Sequence, residues 1–317
     1  MLFSTRASVT SDTPQGGQLA GAEDPGIHEK GGWGTDRAVG RRLRVFWRRF
    51  SRSRSAVLGL GVVFFFTLVT LVATWVAPHD PTALIAQPFI SPGPRYPLGT
   101  DNLGRDVLSG VVYGARVSLA VGFLAAATST LIGVIVGAIS GYLGGVTDAL
   151  LMRLTELFQV LPRFFLALLV VALAGPGIGK IVFVIAILSW PPMARLVRAE
   201  FLSLREREFV EAARALGVAT PTIIFRDILP NALPSVIVAG SLDIAQAILL
   251  EAGLSFFGLG DPNLTSWGGM LNNALAFLRT AWWMPTFPGL GIFLTVLGFN
   301  LLGDGLNDAL NPRLRSR

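Results

Sequence analysis

The chain has 317 residues, of which 52% are hydrophobic and only 15% are charged. A soluble domain of this size cannot bury so much apolar surface, so the composition indicates an integral membrane protein. The chain has no cysteine, which excludes disulfides, thiolate nucleophiles and cysteine-based metal sites. Its only histidines are His28 and His79, so no Ser-His-Asp set or metal-ligand cluster supports a membrane-bound hydrolase. The net charge of +6 leaves nucleic-acid binding as an alternative.

The N-terminal region, residues 1–54, is predicted to be a cytoplasmic tail that is partly disordered. It is polar at first and has no apolar segment before a cleavage site, so no secretory signal peptide is expected. It ends in an arginine cluster beside the first apolar run, which places the N-terminus in the cytoplasm by the positive-inside rule. Topology and anionic lipid explain this cluster, so we expect no nucleic-acid partner. The cluster consists of Arg41, Arg42, Arg44, Arg48, Arg49, Arg52 and Arg54.

Six apolar runs predict about six transmembrane helices within residues 55–313. They cover, approximately, residues 56–77, 117–143, 156–173, 181–197, 233–259 and 285–302. Small residues in the second run predict a closely packed helix. A short loop is expected at 148–153, and Pro191 with Pro192 is expected to break the fourth span. Six spans return the C-terminal tail, 314–317, to the cytoplasm.

Two polar segments separate these runs. The proline-rich stretch after the first span predicts an extracytoplasmic loop over 78–116. The stretch 195–231 is predicted to be a cytoplasmic loop. Its alternating charges over 200–211 favour a solvated surface helix, followed by a turn at Gly217 and a second amphipathic helix up to Pro230. A partner could grip such a helix, although an ordinary charged loop is the alternative.

The cytoplasmic loop carries the sequence Glu-Ala-Ala, three residues, Gly, and about ten residues later Ile-Leu-Pro. This pattern resembles the EAA loop of ABC importer permeases, and Asp227 departs from it by replacing a histidine common in relatives. The resemblance implies a coupling helix that docks into a separate ATPase subunit. The residues it assigns to the ATPase contact are Glu211, Ala212, Ala213, Gly217, Leu229 and Pro230.

A second motif precedes the second span and is similar to the corresponding segment of dipeptide and oligopeptide permeases. Its prominent residues are Gly99, Thr100, Asp101, Gly104, Arg105 and Asp106. The oxygen-bearing side chains could suggest a cation site, but the nearby arginines favour a turn and a helix cap. Segments 251–260, 266–268 and 303–312 also look like this branch, so the resemblance covers residues 55–313.

Two acids lie at membrane depth in the fifth span, Asp243 and Glu251, eight residues apart and so on roughly the same helical face. Ionisable groups there are costly and usually face a cavity or a partner. They are candidates for the solute path or for contact with a partner permease, with pairing inside the bundle as the alternative. A proton-driven secondary transporter using them is a rival interpretation. We also expect Glu156 to pair with Arg163, unless Arg163 extends to the interface.

The glycine-rich segment 175–181 lacks the glycine and hydroxyl residue that a phosphate-binding loop needs, so we expect no ATP site in this chain. The resemblance implies an all-α, polytopic protein with the type I ABC importer permease fold, and specifically the second, C-type permease. It implies the bacterial inner membrane, a homologous permease, two ATPase subunits that carry ATP and Mg, and an extracytoplasmic substrate-binding protein. The implied substrate is a di- or oligopeptide, with nickel, glutathione or another small solute as alternatives. No catalytic residue, cofactor or metal is expected in this chain.

Overall fold

The computed structural model describes residues 46–310. The predictions for residues 1–45 and for the C-terminal tail lie outside the described residues. Within them, helices follow one another, and the only extended pairing there is an isolated bridge between Thr100 and Asp106. The all-α prediction is therefore confirmed. The helices are α1 Arg54–Leu71, α2 Ala73–Val76, α3 Val107–Leu143, α4 Gly145–Val160, α5 Arg163–Ala174, α6 Ile178–Arg205, α7 Glu208–Ala215, α8 Thr220–Phe256, α9 Trp267–Ala274 and α10 Trp283–Leu310.

Five helices of the described chain are long and apolar enough to cross a membrane, namely α1, α3, α6, α8 and α10. The pair α4 and α5 passes the same test together and supplies a sixth span if it is counted as one. This agrees with the predicted number of about six. The path of the chain places α7 and the start of α8 at one end of the bundle, the α7 end. Residues 77–106 and α9 lie at the other, the α9 end.

The third span differs from the prediction in two ways. The expected loop at 148–153 is helical and belongs to α4. The expected continuous helix over 156–173 is broken instead, because α4 and α5 meet at an angle of 82°. Pro162 explains the break: it has no N–H to donate, and it forces the preceding residue, Leu161, into an extended conformation.

Two other helix boundaries were predicted wrongly. Helix α3 begins ten residues before the predicted residue 117, because Asp106 caps it: the Asp106 carboxylate accepts from the Ser109 backbone N–H at 2.9 Å. Helix α6 continues through Pro191 and Pro192 as far as Arg205. Its packing against α3 outweighs the helix-breaking tendency of the two prolines, which is worth about 3 kcal/mol in an exposed helix. Part of the predicted cytoplasmic loop is therefore the end of α6.

Helices α3 and α6 run parallel and touch through glycines spaced four residues apart. A Cβ atom at Gly133 would lie 2.6 Å from the Met193 Cβ, and one at Gly137 would lie 2.7 Å from the Val197 Cβ. Small residues at this spacing let membrane helices approach closely. Helices α1 and α10 pack antiparallel in the same way, since a Cβ at Gly298 would lie 2.8 Å from Val62. The prediction of a closely packed second span is confirmed.

Candidate functional site

Helix α7 carries the Glu-Ala-Ala sequence and ends in a left-handed turn. Gly217 has φ +72°, a conformation that costs glycine little because it has no Cβ atom. The Gly217 N–H donates to the Arg214 carbonyl at 2.9 Å, and the Val218 N–H donates to the Ala213 carbonyl at 3.1 Å. This pair of bonds is a Schellman motif, which ends the helix and satisfies two of its last carbonyls. The predicted helix and glycine turn are confirmed, whereas the predicted second helix does not end at Pro230 but forms the first turns of α8.

One side of α7 is anchored in an apolar cluster. Val210 is fully buried there, and Ala213 packs against the same cluster. The cluster is formed by the α7 end of α6 and the first turns of α8. Its buried members are Met193, Val197, Phe201, Val210, Ile223, Ile228, Ala232 and Val236. Sequence reasoning missed Val210, although its position directly before the Glu-Ala-Ala pattern could have indicated it.

The other side of α7 is exposed. Glu211, Ala212 and Gly217 are accessible, Leu216 before the turn is 83% exposed, and Phe225 in the first turns of α8 is 68% exposed. Large exposed apolar side chains are typical of surfaces that contact another protein. We call the surface formed by these five residues the α7 surface.

Leu229 and Pro230 lie in α8, whereas the other predicted coupling residues lie in α7 or in the turn that ends it. Leu229 is half-buried and packs against the apolar cluster, whereas Pro230 is exposed. Pro230 was predicted to mark the start of a span, but α8 begins ten residues earlier, at Thr220. A π-helical stretch, Ile223–Ile228, directly precedes these two residues within α8. Such stretches are rare, occur mostly as short bulges inside α-helices and are frequent at functional sites.

Cationic side chains connect α7 and the last residue of α6 to the end of α3. The Arg214 guanidinium lies 5.5 Å from the centre of the Tyr142 ring, at the end of α3. Arg205, the last residue of α6, donates from Nη1 to the Gly141 carbonyl at 3.1 Å. Cation–π contacts and hydrogen bonds from charged donors are stronger than neutral contacts. Arg214 therefore ties α7 to α3, and Arg205 ties α6 to α3.

A third connection joins α6 to α4. Arg198 donates from Nε and Nη2 to the two carboxylate oxygens of Asp148, at 2.5 and 2.6 Å. The Ser140 hydroxyl donates to the same carboxylate. This two-pronged geometry is the most favourable one for an arginine and a carboxylate. Sequence reasoning missed this contact, because the two charged residues are 50 positions apart.

Asp243 and Arg163 are both only half-buried at membrane depth. Arg163 is near enough to attract the Asp243 carboxylate electrostatically. No ion pair within 4.0 Å joins the two side chains among the described residues. Arg163 contacts Ser189 of α6 at 3.5 Å. The expected pair of Glu156 and Arg163 was wrong, since Glu156 pairs with Arg153 at 3.1 Å one turn earlier on α4.

Glu251 lies inside the bundle and not beside Asp243. It is 1% exposed, and its carboxylate accepts from the Ser255 hydroxyl at 2.7 Å and from the Ser118 hydroxyl at 3.0 Å. The Ser118 hydroxyl oxygen in turn accepts from the backbone N–H of Trp267 at 3.4 Å. Glu251 thus joins α3, α8 and α9, which favours the alternative of an acid satisfied within the bundle.

The second motif forms a tight turn before α3. Gly99 and Gly104 have φ near +77° and +78°. The Asp101 carboxylate accepts from the backbone N–H groups of Leu103 and Arg105, both at 2.8 Å. The Thr100 hydroxyl accepts from one backbone N–H and donates to a carbonyl in the preceding loop. These contacts agree with the predicted turn and cap. Among residues 46–310, no cluster of three or more His, Asp or Glu side chains is arranged to hold a metal ion.

Comparison with known proteins matches two families. Residues 133–316, more than half of the chain, match the binding-protein-dependent transport system inner membrane component family. Residues 42–103 match the N-terminal TM domain of oligopeptide transport permease C. A chain of the MetNI methionine ABC transporter, in inward facing conformations, superposes with a TM-score of 0.52 and 20% identity, over 64% of this chain and 96% of that chain. This similarity shows a shared fold.

Three curated relatives are similar over most of their length. The di/tripeptide transport system permease protein DppC of Pseudomonas aeruginosa is 39% identical, over 86% of this chain and 93% of the relative. The glutathione transport system permease protein GsiD of Pectobacterium atrosepticum is 40% identical, over 89% and 94%. The dipeptide transport system permease protein DppC of Bacillus subtilis is 39% identical, over 85% of each chain. The chain therefore belongs to the family of binding-protein-dependent transport system inner membrane components.

Proposed function

We propose that this chain is the C-type permease subunit of an ATP-driven importer of di- and oligopeptides. The relatives named above transport dipeptides, di- and tripeptides or glutathione, which share a peptide-like backbone. Glutathione is therefore the alternative substrate that has support among the relatives, and nickel remains a prediction from the sequence resemblance alone. The chain would form the solute path together with a homologous permease. Asp243 and Arg163, charged and half-buried at membrane depth, are the candidates for that shared surface.

The α7 surface is the observation that carries this proposal. It presents exposed apolar and charged groups at one end of a membrane bundle, on a helix that the buried Val210 anchors. A groove on a separate ATPase subunit would receive it as an amphipathic helix. ATP and Mg would be bound by that subunit. An extracytoplasmic binding protein would deliver the substrate at the α9 end.

The distribution of cations supports a cytoplasmic α7 end, because the cytoplasmic side of membrane proteins is enriched in arginine and lysine. Cations at or near the α7 end are Arg48, Arg49, Arg52, Arg54, Arg195, Arg198, Arg205, Arg207, Arg214 and Arg226. Those at or near the α9 end are Arg95, Arg105, Arg116, Lys180 and Arg279. Because α1 begins and α10 ends at the α7 end, both termini would be cytoplasmic.

The contacts of α7 explain how an ATPase could drive the permease. Movement of the ATPase subunits would displace α7. Arg214 would pass that displacement to the end of α3, and the apolar cluster that holds Val210 would pass it to α6. Since α3 and α6 are packed together, they would move as one body. The path would then alternate between outward and inward access, driven by the different affinity of the two states for ATP.

The test is a charge placed on the α7 surface. We expect Ala212→Arg to reduce the amount of ATPase subunit that co-purifies with the permease by about tenfold or more. ATP-dependent peptide uptake should fall by the same factor. The reason is that an unpaired charge in an interface costs several kcal/mol. Ala276→Arg is the matched control, since Ala276 is equally exposed but lies at the α9 end. Uptake in proteoliposomes would be measured with labelled dipeptide.

Two outcomes would contradict the proposal. One is unchanged ATPase recovery and uptake in Ala212→Arg. The other is uptake that continues without ATPase subunits and stops when an uncoupler dissipates the proton gradient, which would indicate a secondary transporter.

A further inference from the structure

Asp243 carries an accessible carboxylate at membrane depth in α8 that is not satisfied by its own bundle. No hydrogen bond and no ion pair within 4.0 Å reaches it from residues 46–310. The side chain is half-buried, and both of its oxygens keep accessible surface. Charges at this depth are costly unless they face a cavity or a partner. The position of Asp243 therefore favours a donor that comes from outside the described chain.

The face of α8 that carries Asp243 does not suit lipid. Gln246 lies three residues further along the helix, so the two side chains are neighbours on its surface. Gln246 is exposed, and both residues lie well inside the apolar run 233–259. An amide that faced hydrocarbon would have no hydrogen-bond partner, which is unfavourable. This face therefore borders water or another polar surface, as the wall of a solute path does.

Arg163 places a cationic group beside this face. It begins α5 directly after the break at Pro162, and its Nη1 contacts the Ser189 hydroxyl of α6 at 3.5 Å. Its Nε and Nη2 have no partner in the described part of the chain, and neither atom is enclosed. Arg163 attracts the Asp243 carboxylate without pairing with it. The carboxylate and the guanidinium are thus close neighbours that both keep free hydrogen-bonding capacity.

We propose that Asp243 binds the terminal ammonium of a peptide as the peptide crosses the membrane. An ammonium carries three donors and no acceptor, which fits a carboxylate with the side-chain oxygen of Gln246 one turn away. Arg163 would repel a simple cation from this place. A peptide offsets that repulsion, because its carbonyl and carboxylate oxygens accompany the ammonium. This inference rests on the proposed function, since it gives the solute path a binding group for the substrate class named there.

The test compares two peptides on the complete transport complex in lipid nanodiscs, without binding protein, by saturation-transfer NMR. The peptides are Ala-Ala and N-acetyl-Ala-Ala, which lacks the ammonium. We expect Asp243→Asn to weaken binding of Ala-Ala about tenfold, because a charge-assisted hydrogen bond is lost. The acetylated peptide should bind the wild type about tenfold more weakly than Ala-Ala does. Asp243→Asn should not weaken it further, because acetylation and substitution remove the same contact.

The matched control is Asp304→Asn, which removes an exposed carboxylate from the spanning helix α10 near the α7 end. It should bind both peptides as the wild type does. Asp243→Glu keeps a carboxylate and should restore most of the preference for Ala-Ala. Equal binding of the two peptides by the wild-type complex would overturn the inference, whether or not Asp243→Asn assembles.

Equal weakening of both peptides by Asp243→Asn would also overturn it and would indicate a structural contact, for example with the homologous permease. Uptake by the complex with its binding protein keeps the two proposals apart. ATP-driven uptake of Ala-Ala, together with peptide binding that does not depend on Asp243, contradicts only this inference. Absence of ATP-driven peptide uptake contradicts the proposed function.

Discussion

Gly217 and Val210 stabilise α7 in different ways. Gly217 permits the left-handed turn and has no heavy atom within 4 Å of the position that a Cβ would occupy, so its role is conformational and not one of packing. Val210 holds the helix by burial. The two contributions can be separated experimentally, because a small substitution at Gly217 leaves the apolar cluster intact.

We expect Gly217→Ala to loosen α7, since a non-glycine residue in the left-handed region costs about 1 kcal/mol or more. Hydrogen exchange of the α7 amides should then be about fivefold faster in the assembled complex. Gly61→Ala is the control: Gly61 lies within α1, also has open space around it and has an ordinary helical φ. Unaltered α7 exchange in Gly217→Ala would show that the turn does not limit the order of the helix.

The sequence predicted the turn at Gly217 but not the different surroundings of the Asp243 and Glu251 side chains. Eight residues of helix turn through about 800°, so the two side chains are offset by about 80° around the axis. That offset is enough to put Glu251 among hydroxyls inside the bundle and Asp243 on a half-exposed face. Which side of a helix faces its neighbours depends on the packing of the whole bundle, and a single sequence does not reveal it.

Helices α3 and α6 form the close contact through which movement of α7 would reach the membrane interior. The small residues of the second apolar run predicted that this run packs closely, yet they did not identify its partner. The ion pair of Asp148 and Arg198 was equally hidden, because it depends on α6 returning to the α7 end. Local pattern thus predicts the kind of contact that a helix makes, whereas chain topology decides with which helix.

We expect Gly137→Ala to destabilise this contact by about 1 to 3 kcal/mol, because the new methyl group would overlap the Ala194 carbonyl and Val197 of α6. The midpoint of thermal unfolding in detergent should fall by several degrees, and uptake should fall with it. Gly240→Ala is the matched control, since the nearest atom to its Cβ lies at an ordinary 3.5 Å. Equal midpoints for the two variants would contradict the close approach of the two helices.

The bundle as a whole was largely predictable, because each span leaves a long apolar run in the sequence. The departures have local causes: Pro162 divides one run, and Asp106 starts a helix earlier than hydropathy suggests. The arginine distribution predicts which end of the bundle faces the cytoplasm. The fold does not test that prediction.

The absence of cysteine makes that direction measurable. Single substitutions Ala219→Cys, at the α7 end, and Ala276→Cys, at the α9 end, place one thiol at an exposed site on each side. A maleimide that cannot cross the membrane should label Ala276→Cys in intact spheroplasts, and Ala219→Cys only after the membrane is opened. The cysteine-free parent chain gives the background. The reverse labelling pattern would invert the proposed topology and remove α7 from the reach of a cytoplasmic ATPase.

The break at Leu161 and Pro162 also has a consequence for biogenesis. Helix α4 has 16 residues and helix α5 has 12, so each is shorter than the roughly 20 residues that a helix needs to cross the hydrocarbon core alone. Neither α4 nor α5 is by itself a complete transmembrane segment that could move sideways into lipid during synthesis. We therefore expect this segment to enter the bilayer together with its neighbours, because α3 has already been made when it emerges and α6 packs against it afterwards. The order of translation thus becomes part of how the subunit attains its native arrangement.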